Sequence, residues 1–183
     1  MQHREALVRE TARAGWEGVL EELVEERGDA LVRYAYLLCG DPDDAADLVQ
    51  SGLVATFGRL RNGFALERAE SYVRRAIASA YLDRGRRATR WRRIAHLQAR
   101  PESVDSSAPT VDLHLDVRAQ LDALSPRERT CIVLRYYEDL KVDDIADRLG
   151  ISAGAVKRYL SDAHAKLADA LVRQEGEVYD PAR

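Results

Sequence analysis

Residues 71–100 hold nine arginines (Arg74, Arg75, Arg84, Arg86, Arg87, Arg90, Arg92, Arg93 and Arg100) against one acid, Asp83. Tyr72, Tyr81 and Trp91 are interleaved with them, and Phe64 lies just ahead. Guanidinium groups hold phosphates, and a run of this density can bind a polyanion such as nucleic acid. The rest of the chain is acidic in balance: the net charge is −3, residues 1–29 carry eight acids and four arginines, and residues 101–116 carry Glu102, Asp105, Asp112 and Asp116 with no Lys or Arg. Such segregation marks one surface for nucleic acid in an otherwise acidic protein.

A second stretch has the layout for intact duplex. In VDDIADRLGISAGAVKRYLSDAHAKL, Val142 to Leu167, residues Ile145, Ala146 and Leu149 share a helical face, Gly150 suits a left-handed turn, and Ser152 supplies an N-cap oxygen. Val156, Leu160, Ala163 and Leu167 then form one apolar stripe, with Lys157, Arg158, Ser161, His164 and Lys166 expected opposite. This is a helix-turn-helix whose second helix can enter a major groove. An ordinary helical hairpin with a solvated basic face would carry the same periodicity.

Bond-making chemistry has no such support. His3, His96, His114 and His164 are scattered, no His, Cys or carboxylate set has metal-ligand spacing, and no glycine-rich phosphate loop is present. No enzyme activity, cofactor or metal is expected. Cys39 and Cys131 sit in apolar helical patterns and read as buried, reduced thiols. No run of about 18 apolar residues occurs, and the N-terminus lacks the apolar core of a signal peptide, so a cytoplasmic chain with no membrane insertion is expected.

The elements that must position these residues all read as helices. Residues 1–15 are polar and form an N-terminal extension, frayed or loosely docked. From Trp16 an apolar face runs through Leu23, Leu31, Tyr34 and Leu38 to Gly40. Asp41-Pro42 starts the next helix, with Leu48, Val49, Leu53 and Phe57 inward; Gly52 inside it has no packing reason in the sequence. Residues 58–68 read as a loop around Asn62-Gly63, and a third helix follows from about Glu70 to Arg84, with Gly85 expected to interrupt it. Residues 99–115 form a flexible acidic linker. Ser125-Pro126-Arg127-Glu128 is a capping box, after which Ile132, Val133, Tyr136 and Tyr137 are expected to pack. The fold class is therefore all-α: two small helical domains, 16–98 and 116–174, with a tail over 175–183.

Three segments in order, DDAADLVQ (Asp43 to Gln50), SYVRRAIASAYLDRGRR (Ser71 to Arg87) and Leu121 to Leu167, resemble bacterial RNA polymerase sigma factors. Two helical domains and a short linker resemble the extracytoplasmic-function (ECF) group, and Tyr72-Val73-Arg74-Arg75 is similar to its actinobacterial members. The resemblance implies that Asp47, Leu48, Val49 and Gln50 meet a coiled coil of the polymerase largest subunit, although Leu48 and Val49 fit a core equally well. It implies that Phe64, Tyr72, Arg74, Arg75, Ser79, Tyr81, Arg84, Arg86, Arg87 and Trp91 meet melted −10 DNA, with core packing an open alternative for Tyr72 and Trp91. It places Ser152, Ala153, Gly154, Ala155, Lys157, Arg158 and Ser161 on the −35 duplex. Ser79, Tyr72 and Ala155 stand where the family often has Asn, Trp and Thr, and Lys141 stands where a Ser or Thr cap is common.

The expected function is then that of a dissociable specificity subunit, whose partners are core RNA polymerase, promoter DNA and an anti-sigma factor. The linker would lie in the polymerase cleft until growing RNA expels it. The alternative is a stand-alone helix-turn-helix regulator, which would need a dimer to read a two-fold operator and leaves the arginine-rich helix unexplained.

Overall fold

The computed structural model describes residues 2–58, 66–95, 118 and 120–178, with side chains described over 15–58, 66, 68–88, 90, 118 and 120–171. Six helices are named here: α1 (Gln2–Cys39), α2 (Pro42–Phe57), α3 (Leu66–Ala95), α4 (Pro126–Tyr136), α5 (Val142–Leu149) and α6 (Ala153–Val178). Among the described residues every regular element is a helix, and none is long and apolar enough to cross a membrane. The chain divides into two units, residues 1–81 and 82–183. The expected linker, 99–115, lies outside the described residues, as does Phe64.

In the first unit the core is built from three helical faces: Leu23, Leu31, Tyr34, Ala35 and Leu38 of α1, Ala45, Leu48, Val49 and Phe57 of α2, and Ala69, Val73, Ile77 and Ala78 of α3. Gly40, at φ 76°, ends α1. The Asp41 carboxylate then accepts the N–H groups of Asp43 and Asp44, both at 2.9 Å, with Pro42 at the first helical position. Trp16 lies against Phe57, ring centroids 6.3 Å apart. Gly52 has its reason here: α2 and α3 approach so closely that a β-carbon on it would stand 2.7 Å from Cγ1 of Ile77.

Two expectations about α3 need correction. The helix begins at Leu66, inside the expected loop, and it runs through Gly85 without a break. One glycine costs a helix about 1 kcal/mol relative to alanine, too little to stop a run flanked by arginines and alanines.

In the second unit Leu121, Leu124, Cys131, Ile132, Val133, Leu134, Ile145, Ala146, Val156, Leu160 and Ala163 form the core. The capping box is made in both directions: Ser125 N–H donates to Glu128 Oε2 at 2.8 Å, and Glu128 N–H to Ser125 Oγ at 3.4 Å. Tyr136 and Tyr137 do not join the packing face; both are exposed, Tyr136 as the last residue of α4 and Tyr137 as its C-cap, while Val133 and Leu134 of the same turn are buried. Asp139 at φ 51° turns the chain, and Arg148 fixes the turn through Glu138 at 2.6 Å. Gly150 is left-handed, and its N–H and that of Ile151 both end on the Ala146 carbonyl, closing α5. Lys141 gives α5 no side-chain cap, and Asp143 and Asp144 occupy the positive end of its dipole.

Candidate nucleic-acid interface

α3 separates its polar residues by face. Arg68, Tyr72, Arg75, Ser79, Arg86 and Arg90 are exposed, and their spacing of three, four and seven residues puts them on one side of the helix. Tyr72 is 50% exposed. Asp83 lies on the same side and pairs with Arg86. Arg74 points elsewhere. Its guanidinium donates to Glu70 Oε1 from Nε at 3.0 Å and from Nη2 at 2.7 Å, and lies 5.2 Å from the centre of the Tyr34 ring. With 14% of its side chain exposed, Arg74 is part of the frame that joins α3 to α1, and Arg27 adds a looser pair to Glu70 at 3.6 Å. Tyr81 and Arg84 are half-buried, seven and ten residues on from Arg74 and so on its side of the helix; Arg87 is exposed. The Trp91 side chain lies outside the described ones. Arg68 and Arg90 were not singled out as site residues from the sequence, although the helical spacing from Tyr72 and Arg86 would have found them.

On α2, Leu48 is fully buried and Val49 nearly so. Asp43, Asp47, Gln50 and Val54 instead share the exposed side, with Val54 67% exposed. An apolar residue left that far out of the core on an otherwise acidic and polar stripe suits a helix-on-helix contact.

On α6, Ser152 caps the helix, its Oγ accepting the Ala155 N–H at 3.2 Å. Gly154, Lys157, Arg158 and Ser161 are exposed, and Ala153 and Ala155 half-exposed. Arg158 lies 5.3 Å from the Tyr159 ring centre and Arg127 of α4 lies 6.0 Å from it, so one ring has two guanidinium groups against it. Arg127 and Tyr159 carry no periodic signal in the sequence; only the crossing of α4 and α6 brings them together. His164 and Lys166 are exposed, as Lys157 and Arg158 are, but each also has a partner on α4. His164 Nε2 shares a 2.7 Å hydrogen bond with Tyr136 Oη, and Lys166 Nζ donates to both oxygens of Glu128.

No group of His, Cys, Asp or Glu among the described residues could hold a metal ion. These surfaces can bind, stack and orient, and they define a nucleic-acid-binding protein of two helical units.

The descriptions of Sigma-70 region 2 and Sigma-70 region 4 match residues 23–92 and 114–167. The chain is 35% identical to the RNA polymerase sigma-E factor of Streptomyces coelicolor over 161 residues, covering 85% of this chain and 87% of that one. It is 38% identical to the RNA polymerase sigma-E factor of Streptomyces avermitilis, covering 82% and 84%. A solved sigma factor RpoE from Bartonella quintana, in complex with the anti-sigma factor NepR, superposes with a TM-score of 0.60 over 83% of this chain and 96% of that chain at 22% identity, a likeness of fold. The chain belongs to the RNA polymerase sigma factors, in the ECF group and of actinobacterial type. It is therefore a transcription-initiation factor that works with core RNA polymerase and promoter DNA, and not an enzyme.

Proposed function

We propose that the labour of initiation is divided among three exposed helical stripes. Tyr72, Arg75, Ser79 and Arg86 of α3, extended by Arg68 and Arg90, meet the melted −10 strand. Gly154, Lys157, Arg158 and Ser161 of α6 meet the −35 duplex, with Arg127 holding phosphate beside them. Asp43, Asp47, Gln50 and Val54 of α2 dock on the polymerase largest subunit in place of Leu48 and Val49. The observation that carries this reading is the sorting on α3, where Arg74 turns in to Glu70 while Tyr72, Arg75 and Ser79 face out. A base must be caught by groups on an exposed face, and unstacking costs a few kcal/mol that stacking and phosphate contacts offset.

The solved relative is held by an anti-sigma factor, and a restraining partner of that kind for this chain is part of the proposal. The test is run-off transcription with core polymerase and variants of each stripe. R75E should assemble holoenzyme and bind closed promoter yet fail to open it, seen as lost permanganate reactivity of −10 thymines. V54E should fail at assembly. Equal loss at every step for both, or no loss for either, would refute the division.

A further inference from the structure

Lys166 keeps 45% of its side chain exposed, but its head group is tied to α4. Its ammonium donates to Glu128 Oε1 at 2.9 Å and Oε2 at 2.7 Å. Glu128 cannot follow a moving lysine: its side chain is 8% exposed, and Oε2 also accepts the Ser125 N–H at 2.8 Å. The carboxylate is thus fixed to the first turn of α4 and grips α6 from one flank. On the other flank, Tyr136 and His164 are joined but both are exposed. Between the flanks the buried contacts of α6 are Val156, Leu160 and Ala163, of which only Leu160 is long, and Leu167 is half-buried on the same stripe. Short side chains resist sliding poorly. A roll of about 20° moves a side-chain tip at about 5 Å from the axis by roughly 2 Å, more than a hydrogen bond tolerates.

We propose that Glu128 and Lys166 are positioning residues for promoter reading: the pair sets the roll of α6, and so decides which edges Lys157, Arg158 and Ser161 can reach. This rests on the reading that α6 meets the −35 duplex. Neither residue touches DNA. Burial on its own would raise the Glu128 carboxyl, but the Lys166 ammonium and the Ser125 N–H and hydroxyl outweigh it and hold it below its ordinary value, so the carboxylate stays ionised at neutral pH.

The test uses full-length protein in holoenzyme, with affinity for a cognate promoter compared with one whose −35 element is scrambled, over a series of salt concentrations. K166M and E128Q should each lower that ratio by about tenfold, the scale of one good base contact. Holoenzyme assembly should hold within about twofold and the salt slope should be unchanged, since no phosphate contact is lost. The double variant should be no worse than either single one, and K166R should restore most of the ratio. Three results overturn the proposal: an unchanged ratio, an equal loss on both promoters, or a salt slope lowered by about 0.9 in K166M alone, which would make Lys166 a phosphate contact. Should E128Q not fold, K166M against K166R decides the matter by itself. A wild-type holoenzyme indifferent to the −35 element would sink the parent reading, and that arm is independent of every variant.

Discussion

Gly52 of α2 and Ile77 of α3 meet without room for a methyl group: a β-carbon on Gly52 would lie 2.7 Å from Ile77 Cγ1 and 3.2 Å from the Val73 carbonyl oxygen. Helix propensity favours alanine over glycine by about 1 kcal/mol, but overpacking of this kind costs about 1–3 kcal/mol. G52A should therefore destabilise the first unit, seen as a lower denaturant midpoint, and adding I77A should cost less than the sum of the two. G18A, on α1 with nothing within 4 Å of the added carbon, should stabilise instead. A G52A protein as stable as wild type would mean that α2 and α3 are less closely apposed.

The neighbouring arginines of α3 should fail in different ways. Arg74 bonds Glu70 and covers Tyr34, whereas Arg75 is exposed. R74A should lower the unfolding temperature and damage every activity together. R75A should change stability by no more than about 0.5 kcal/mol while reducing promoter opening. Thermal unfolding beside permanganate footprinting separates the two.

Glu128 gives the second unit an acid-sensitive tie. Its folded carboxyl lies below its ordinary value, so its contribution is complete above about pH 5, clear of the unfolded glutamate range, and is lost as pH falls through the folded value. The stability gap between wild type and E128Q should be largest near neutrality and close toward acid. Calorimetry of both full-length chains across that range checks the sign, and a gap that widens on acidification would contradict it.

Burial pushes the Cys131 thiol up to about 11, with the Arg127 guanidinium pulling against it and the Glu128 carboxylate adding to it. Alkylation of the native protein near pH 8 should spare Cys131, since the thiolate is the nucleophile. Cys39, only part-buried, with its Sγ 3.2 Å from the Asp41 carbonyl oxygen, should react first. Mass spectrometry of the labelled peptides reads this directly, and Cys131 should label only after denaturation.

The local signals were plain in the sequence because their physics is local. Asp41-Pro42, Ser125 with Glu128, Ser152 and Gly150 each act within four residues, and the structure places each as expected. Periodicity located the helices but not which neighbour each face meets. That is why Leu48 and Val49 read either way, why Tyr136 and Tyr137 read as packing residues, and why the sequence offers no reason for Gly52. Lys166 and Glu128 are 38 residues apart. No pattern along the chain can show that a basic residue on a recognition helix is bound to an acid on another. The split between Arg74 and Arg75 was hidden for a similar reason: a doublet reads as one feature, while a helix turns its members about 100° apart.

The α5–α6 corner is closed by the main chain, with the N–H groups of Gly150 and Ile151 on the Ala146 carbonyl, and the exposed positions proposed to read the −35 duplex, Gly154, Lys157, Arg158 and Ser161, lie outside the buried frame. Exposed side chains outside the core can be exchanged at little cost to the fold. A duplicated copy of such a gene could drift toward a new set of promoters by changing those positions alone, and inherit its architecture intact.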